Sequence, residues 1–434
     1  MRRKVRHRLV KRPQFREKIH QFRLDNGLDV WLVQRKGFIH KCAILVFDYG
    51  SLYIDFRVGA RRYTTPAGLA HLLEHRLFEK EDHSVFDRFA DYGADANAFT
   101  SYSATGYHFE CTSNFYECLS LLLKSVQELW LTEEALNKEK EVVICELKEA
   151  QENPSGLLYR NFLNALFTSH PVKFDIAGTP ESVKAINCET MRLAHKFFYR
   201  PSNAILAAVG DIEPKRFIDT VLESANEWED KETKPQVLLP NEPRSVHKPY
   251  IRSKTQMARH KVALGYKDSF FFSRRAVSKK EILRRVFAAE IAASCTFGHS
   301  SEEYQSLYLD GIVDDTFSAV YVADRSFGYF VFSTDTEKPD KFIRRIKKAI
   351  ERRKKEGFKE EEFERIRRRT LGALLSRLDS LSQTTSLLVM GRAYDHLYLD
   401  TLKLVEELTP EDSLSVLSEV CTEKKCAVSL VSPA

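Results

Sequence analysis

Three residues in the stretch AGLAHLLEHRLFEK (67–80) have the types and spacing for metal chemistry: His71, Glu74 and His75. Positions i and i+4 of an α-helix share a face. Two imidazoles at that spacing can grip one cation from the same side. Glu74 stands three positions after His71 and one before His75, so its carboxylate lies beside such a cation without having to ligate it. A catalytic zinc site needs three protein ligands and one open corner for water. A neighbouring carboxylate then removes a proton as that water attacks a carbonyl. H-x-x-E-H reverses the order of the zinc-binding pattern H-E-x-x-H. The competing reading is three polar residues on the wet face of an ordinary helix. Against it, Gly68, Leu69, Leu72, Leu73, Leu77 and Phe78 make the rest of the segment strongly apolar, and polar groups inside a buried helix are costly without partners. No cysteine lies near enough to close a structural zinc tetrahedron.

A third ligand has to come from elsewhere, and the candidate stretch is NKEKEVVICELKEAQENP (137–154). Glu139 and Glu146 are two helical turns apart on one face. Glu146 stands among Val142, Val143, Ile144, Cys145 and Leu147. A carboxylate in such company is expected to be buried and to need a cation. Glu139 is placed to orient a ligand or raise its basicity. Glu141, Glu149 and Glu152 are expected to face water.

The elements that must hold these groups follow from periodicity and turn residues. HQFRLDNGLDVWLVQRKG alternates apolar and polar residues about Asn26-Gly27, which reads as a type I′ hairpin because both central residues of that turn need positive φ. KCAILVFDYGS is a buried strand. Pro66 opens a helical stretch to about Tyr92, broken by turns. ANAFTSYSATGYHFECTS is β-rich. Helices are expected at about 114–130, 132–152, 155–168 and 187–198, and NAILAAVGDI closes this half as a central strand. Residues 222–254 carry four of the fourteen prolines and many charges, the composition of a linker. The second half repeats the order: HKVALGYKD, a helix over 279–296, a shorter one in SSEEYQSLYLDG, the hairpin DTFSAVYVADRSFGYFVFSTDT, helices at about 338–355, 360–395 and 401–420, then CAVSLVS. Strands, helix, hairpin, helices, strand, twice, suggest an internal duplication. The fold class expected is α+β: two repeated domains, each a mostly antiparallel sheet with helices on one face.

With 434 residues, 43% of them hydrophobic, the chain can build more than one core. A net charge of +6, from 67 basic against 61 acidic residues, does not call for nucleic acid. The basic segment FIRRIKKAIERRKKEG places Phe342, Ile343, Ile346 and Ile350 at helical spacing, so its charges read as the solvated face of an amphipathic helix. No aromatic platform for bases accompanies it. Eight cysteines without a CxxC point to free thiols in a reducing compartment. No apolar run approaches the roughly 20 residues of a bilayer span. The N-terminal MRRKVRHRLVKRPQFREK lacks the apolar core of a secretory signal and reads as a solvated basic arm. A cytoplasmic location is expected.

His71-Leu72-Leu73-Glu74-His75 followed by EKEVVICE (139–146) resembles the pitrilysin/insulin-degrading-enzyme family of zinc peptidases, the inverzincins. The likeness is strongest to the short two-domain branch that includes mitochondrial processing peptidase and bacterial heterodimeric homologues. FRLDNGLDVWL, GADANAFTSYSATGYHF, HPVKFDIAGTPESVKAI and FYRPSNAILAAVGDI extend the likeness over most of 20–215. The resemblance implies one Zn2+ per chain on His71, His75 and Glu146. It implies Glu74 as general base, and a substrate held as an added β-strand along Asn97, Ala98, Phe99 and Thr100. The catalytic candidates are therefore Glu74 as base and Glu139 as the residue that orients a ligand. Strand addition draws affinity from main-chain hydrogen bonds, which suits extended, unfolded peptides of varied sequence. The expected organisation is a basic arm over 1–19, a zinc-binding peptidase domain over 20–221, a linker over 222–254, and a second homologous domain over 255–434 without a metal motif. The two α+β halves would form a clam-shell half around the substrate.

One departure bears on assembly. The family's second half usually carries an Arg and a Tyr seven residues apart that steady the substrate and the oxyanion. In EEYQSLYLDGIVDDTFSA, Tyr308 stands where Arg is expected and Asp315 where Tyr is expected. A carboxylate cannot stabilise a developing oxyanion. The resemblance thus implies a heterodimer with a related zinc-free subunit that supplies the Arg/Tyr pair, in preference to a homodimer. The alternative is a non-catalytic structural or scaffolding subunit of such a pair. No nucleic acid and no membrane span are expected.

Overall fold

A computed structural model describes residues 5–12, 17–230, 233–272 and 277–434. The chain begins with β1 (Val5–Arg12), β2 (Glu17–Leu24), β3 (Asp29–Gln34), β4 (Lys41–Phe47), β5 (Asp55–Val58) and β6 (Arg61–Thr64). Helices α1 (Leu69–Leu77) and α2 (Val85–Asp91) lead into β7 (Ala94–Thr100) and β8 (Thr105–Cys111). Next come α3 (Phe115–Ser125), α4 (Glu133–Glu152), α5 (Pro154–Leu166), α6 (Pro180–Ala185), α7 (Cys188–Phe198), β9 (Ala204–Gly210), α8 (Pro214–Ser224) and β10 (Gln236–Val237). The remainder holds β11 (Tyr250–Thr255), β12 (His260–Lys267), α9 (Lys279–Phe297), α10 (Glu302–Leu309), β13 (Ser318–Ala323), β14 (Gly328–Thr336), α11 (Pro339–Glu356) and α12 (Glu360–Ser376). It ends with α13 (Leu381–Ala393), α14 (Asp400–Glu406), α15 (Pro410–Val420) and β15 (Cys426–Pro433). The fold is α+β. It divides into two compact units, one of Met1–Leu147, Ile176–Leu238 and Ser376–Tyr398, the other of Lys148–Asp175, Leu239–Leu375 and Leu399–Ala434.

The first unit is built on a sheet in the order β1-β2-β3-β9-β4-β8-β7. All its neighbours are antiparallel except β3 and β9. One pleat face, carrying Ala43, Leu45, Phe47, Leu206 and Phe109, joins the core with Leu72, Leu73 and Leu77 of α1 and Leu119, Leu122 and Leu123 of α3. Successive residues of a strand point to opposite faces. The other face, carrying Ile44, Val46, Ile205 and Val209, is buried too, because α13 packs on β4 and β9. Arg392 of α13 bonds to Asp29, and Arg35 donates to Leu378 O at 2.6 Å and Glu17 Oε1 at 2.6 Å.

Several local expectations change. Residues 5–12 of the basic segment pair with β2 along their whole length, so this part is an edge strand, while Arg6, His7 and Arg8 keep exposed side chains. Residues 1–4 and 13–16 of that segment, and 231–232 of the expected linker, lie outside the described residues. The turn after β2 is not type I′. Gly27 has φ 91° but Asn26 does not enter the positive-φ region. A three-residue loop with its glycine left-handed results, closed by Gly27 N to Leu24 O at 3.0 Å. Asn26 is instead spent on fixing the loop, accepting from Leu28 N and donating to Trp228 O. The helix expected over 360–395 stops at Ser376, and Ser380 caps a new one through Gln383 N. Likewise Thr409 and Pro410 divide the helix expected over 401–420.

The second unit has a five-stranded sheet in the order β11-β15-β12-β14-β13, with β11 and β15 parallel and the other pairs antiparallel. Helix α11 buries Phe342, Ile346, Ala349 and Ile350 and turns its cations outward, several of them paired, as in Arg345–Asp310 and Arg353–Glu362. The proline-rich segment is pinned rather than loose at Glu242, a fully buried carboxylate. It accepts from Lys267 Nζ (2.6 Å) and from the backbone N–H groups of Thr168, Ser169 and His170 (2.9, 2.7 and 2.7 Å). Among the described residues no helix is long and apolar enough to cross a membrane.

Candidate metal centre

Helix α1 buries Leu69, Ala70, Leu72, Leu73 and Leu77, which leaves His71, Glu74 and His75 together on the remaining face. Its start depends on a backbone crossing. Gly68 caps it at φ 88°, and a Cβ there would stand 2.3 Å from Ala177 O. Any other residue would push the two segments apart and tilt the helix that carries the histidines.

Helix α4 supplies the acidic groups. Its buried stripe is Leu136, Val143 and Leu147, and Glu139 and Glu146 flank that stripe two turns apart. Ligand atoms of His71, His75 and Glu146 all lie within 4.8 Å of one another. His75 Nε2 stands 3.9 Å from Glu146 Oε2, and the imidazole centroids of His71 and His75 are 4.6 Å apart. The expected burial of Glu146 is corrected. Its side chain is 47% exposed, whereas Glu139 keeps only 16%. The apolar neighbours of Glu146 in sequence point around the helix, and Val142 itself is exposed. Glu141, Glu149 and Glu152 face water as expected.

The other nitrogen of His75 is taken by protein. Its Nδ1 lies 3.1 Å from Glu139 Oε1. Arg76 Nη1 approaches the second oxygen of Glu139 at 3.6 Å, and its guanidinium stacks on Trp130 at 5.5 Å. Glu74 Oε2 accepts from the Thr100 hydroxyl at 2.7 Å. The arrangement sets the protonation states. Burial pulls His71 down to about 4, helped by His75. Burial also opposes charge on His75, but the Glu139 hydrogen bond and the Glu146 and Glu74 charges outweigh it and raise its pKa. Burial raises Glu74 against the Thr100 bond and His75. The His75 bond holds Glu139 below the usual carboxylate range.

The donor set fits a divalent cation. Three carboxylates, Glu74, Glu139 and Glu146, meet two imidazoles and one buried cation, Arg76, which leaves a surplus of negative charge. His71 Nδ1 is buried and has no hydrogen-bond partner among the described residues. Two imidazoles and one carboxylate are a known three-protein-ligand set for zinc with an open corner. His71, His75 and Glu146 would hold such an ion, which would supply Lewis-acid chemistry there.

Asn97, Ala98, Phe99 and Thr100 occupy β7, which ends the sheet beyond β8. Asn97 and Phe99 are exposed, while Ala98 and Thr100 are partly covered. Tyr308, near the end of α10, is 48% exposed, and Asp315 lies exposed in the loop that follows. Sequence reasoning missed Thr100 as a partner of Glu74 and Arg76 as a partner of Glu139. Their positions sit in other elements, so no spacing rule could link them.

The fold and the paired motif define an α+β protein with two imidazoles, a distant carboxylate and an intervening glutamate at one site. Residues 48–180 match the description insulinase (peptidase family M16), and residues 185–370 match the peptidase M16 inactive domain. The chain is 32% identical to the uncharacterized zinc protease YmfH of Bacillus subtilis (strain 168), over 97% of this chain and 98% of that protein. A crystal structure described as that of an M16-like peptidase from Alicyclobacillus acidocaldarius superposes with a TM-score of 0.91 at 30% identity, covering 98% of this chain and 100% of the other. A protease from Helicobacter pylori, at 20% identity, shares the fold with a TM-score of 0.83 over 96% and 100% of the two chains. The chain belongs to peptidase family M16, the pitrilysin family, in its short two-domain branch.

Proposed function

We propose that this chain is the zinc-carrying subunit of an endopeptidase that hydrolyses unfolded peptides, acting with a related zinc-free subunit in the cytoplasm. The observation that carries the reading is the convergence of His71, His75 and Glu146 beside Glu74. The zinc protease relatives support it. On this reading His71, His75 and Glu146 hold one zinc, and Glu139 fixes the His75 ring through Nδ1. A bound zinc ion supplies Lewis-acid polarisation of the scissile carbonyl and acidifies water. Glu74 takes the proton of the attacking water on its carboxylate and returns it to the leaving amine. The exposed edge of β7 at Asn97–Thr100 receives the peptide as an extended strand. In sequence we assign the zinc-binding peptidase domain to 20–221 and the homologous half, without a metal motif, to 255–434, although Lys148–Asp175 belongs to the second compact unit and Ser376–Tyr398 to the first.

The partner enters through chemistry that the second half lacks. Tyr308 and Asp315 occupy the positions where the family resemblance expects an Arg and a Tyr. A zinc-free relative bringing that pair would complete the site. The test is hydrolysis of a fluorogenic unstructured peptide by the purified chain alone and mixed with the related subunit, with and without a zinc chelator. Chelator-sensitive turnover that needs both chains is expected. Full turnover by the solitary chain would remove the partner, and turnover that ignores the chelator would remove the zinc.

A further inference from the structure

We infer that Thr100 is a positioning residue for the general base: its side chain fixes the plane of the Glu74 carboxylate, while its backbone belongs to the strand that receives substrate. This rests on the peptidase reading above. The terminal torsion of a glutamate is soft and roughly two-fold. A carboxylate that exchanges protons needs a fixed plane, because misplacement by about 1 Å costs catalysis heavily. Helix α1 fixes the Cα of Glu74 but not that torsion. The Thr100 hydroxyl does so, donating to Oε2 at 2.7 Å.

The donor is itself held rigidly. Thr100 ends β7 opposite Thr105 of β8. The connecting turn is closed by Ser101 N to Ala104 O at 2.8 Å and by Ala104 N to Ser101 Oγ at 3.1 Å. Ser51 N and Leu52 N donate to the carbonyls of Ser101 and Tyr102, each at 3.0 Å. Thr105 is fully buried and donates to Tyr49 O at 2.8 Å. A β-branched residue also has few χ1 choices. The hydroxyl is thus preset by the hairpin, not by Glu74. Any peptide that pairs with β7 at Asn97–Thr100 rests on the same strand that aims the base, so registration of the peptide and alignment of Glu74 share one rigid part.

The test compares wild type, Thr100→Val and Thr100→Ser, all zinc-loaded and in the form that turns over. Valine keeps shape and β-propensity but removes the donor; serine keeps the donor. The expected result is a loss in kcat of roughly 10- to 100-fold for Thr100→Val, with KM and zinc content close to wild type, and recovery of most of kcat by Thr100→Ser. An unchanged kcat in Thr100→Val, or a serine variant as slow as the valine one, would overturn the inference. A second readout does not need activity. Crystal structures of zinc-loaded wild type and Thr100→Val should show Glu74 in one orientation in the first and displaced or spread in the second, with His71, His75 and Glu146 unmoved. Identical Glu74 orientations would also overturn it. If wild type cleaves nothing with or without the partner, the peptidase reading fails, and the crystallographic comparison still decides the role of Thr100.

Discussion

His75 Nδ1 lies 3.1 Å from Glu139 Oε1, across 64 residues of chain and between two helices. The contact leaves Nε2 facing Glu146 and ties the ring's orientation to a carboxylate that Arg76 also approaches. A partner of this kind fixes the tautomer and raises ligand basicity. Glu139→Gln should therefore weaken zinc binding by roughly 10- to 100-fold without abolishing it. Competition against a chromophoric chelator measures this, and an unchanged affinity would make Glu139 a bystander.

Glu74→Gln separates holding the metal from using it. The three ligands remain, but the amide cannot take a proton from water. Turnover should fall by roughly 10²- to 10⁴-fold while zinc content stays at the wild-type value. Steady-state hydrolysis with parallel metal analysis checks both halves, and retained turnover would strip Glu74 of its role.

In the second unit the Lys267–Glu242 pair is wholly buried. Lys267 also donates to Pro243 O at 2.9 Å and Ser245 O at 2.6 Å. Removing one partner of a buried pair leaves an uncompensated charge, which costs about 3–5 kcal/mol. Lys267→Met should lower the melting temperature by roughly 10 °C with little effect on zinc content. A shift of a degree or two would show that the three backbone N–H groups suffice for Glu242.

His170 gives that unit a pH dependence. Burial lowers its pKa from 6.5 to about 4, with Lys267 adding to the effect and Glu242 opposing it. Its Nδ1 accepts from Val172 N at 3.2 Å, which requires the neutral ring. The folded pKa lies below the unfolded one, so the unfolded chain binds more protons between them. Stability is fully present above pH 6.5 and is lost as pH falls toward 4. The gap corresponds to about 3 kcal/mol. Urea midpoints at pH 7.5 and pH 5 should differ more in wild type than in His170→Gln. Equal differences would exclude His170 as the cause.

The candidate metal ligands were legible because a helix turns local spacing into geometry. His71 and His75 had to share a face, and Glu139 and Glu146 had to share another. What spacing could not give was which flank of α4 faces water. Glu146 proved exposed and Glu139 covered, because helix packing, not the identity of sequence neighbours, decides burial. Apolar–polar alternation marked β2 and β3, and short apolar runs marked β4 and β12, yet β1 escaped notice because an edge strand can be nearly all charged. The break between α12 and α13 has no Gly or Pro to announce it, only the Ser380 cap. The burial of both faces around β4 depends on α13, more than 300 positions away in the chain, and local patterning carries no such information.

The proposed activity requires His71, His75 and Glu146 to hold one zinc ion. Atomic emission analysis of the purified, dialysed chain beside His71→Ala and Glu146→Gln tests it most directly. One zinc per chain in wild type, and little or none in either variant with the fold intact by circular dichroism, is the result expected. A wild-type chain that takes up no zinc, or variants that retain it in full, would contradict the account.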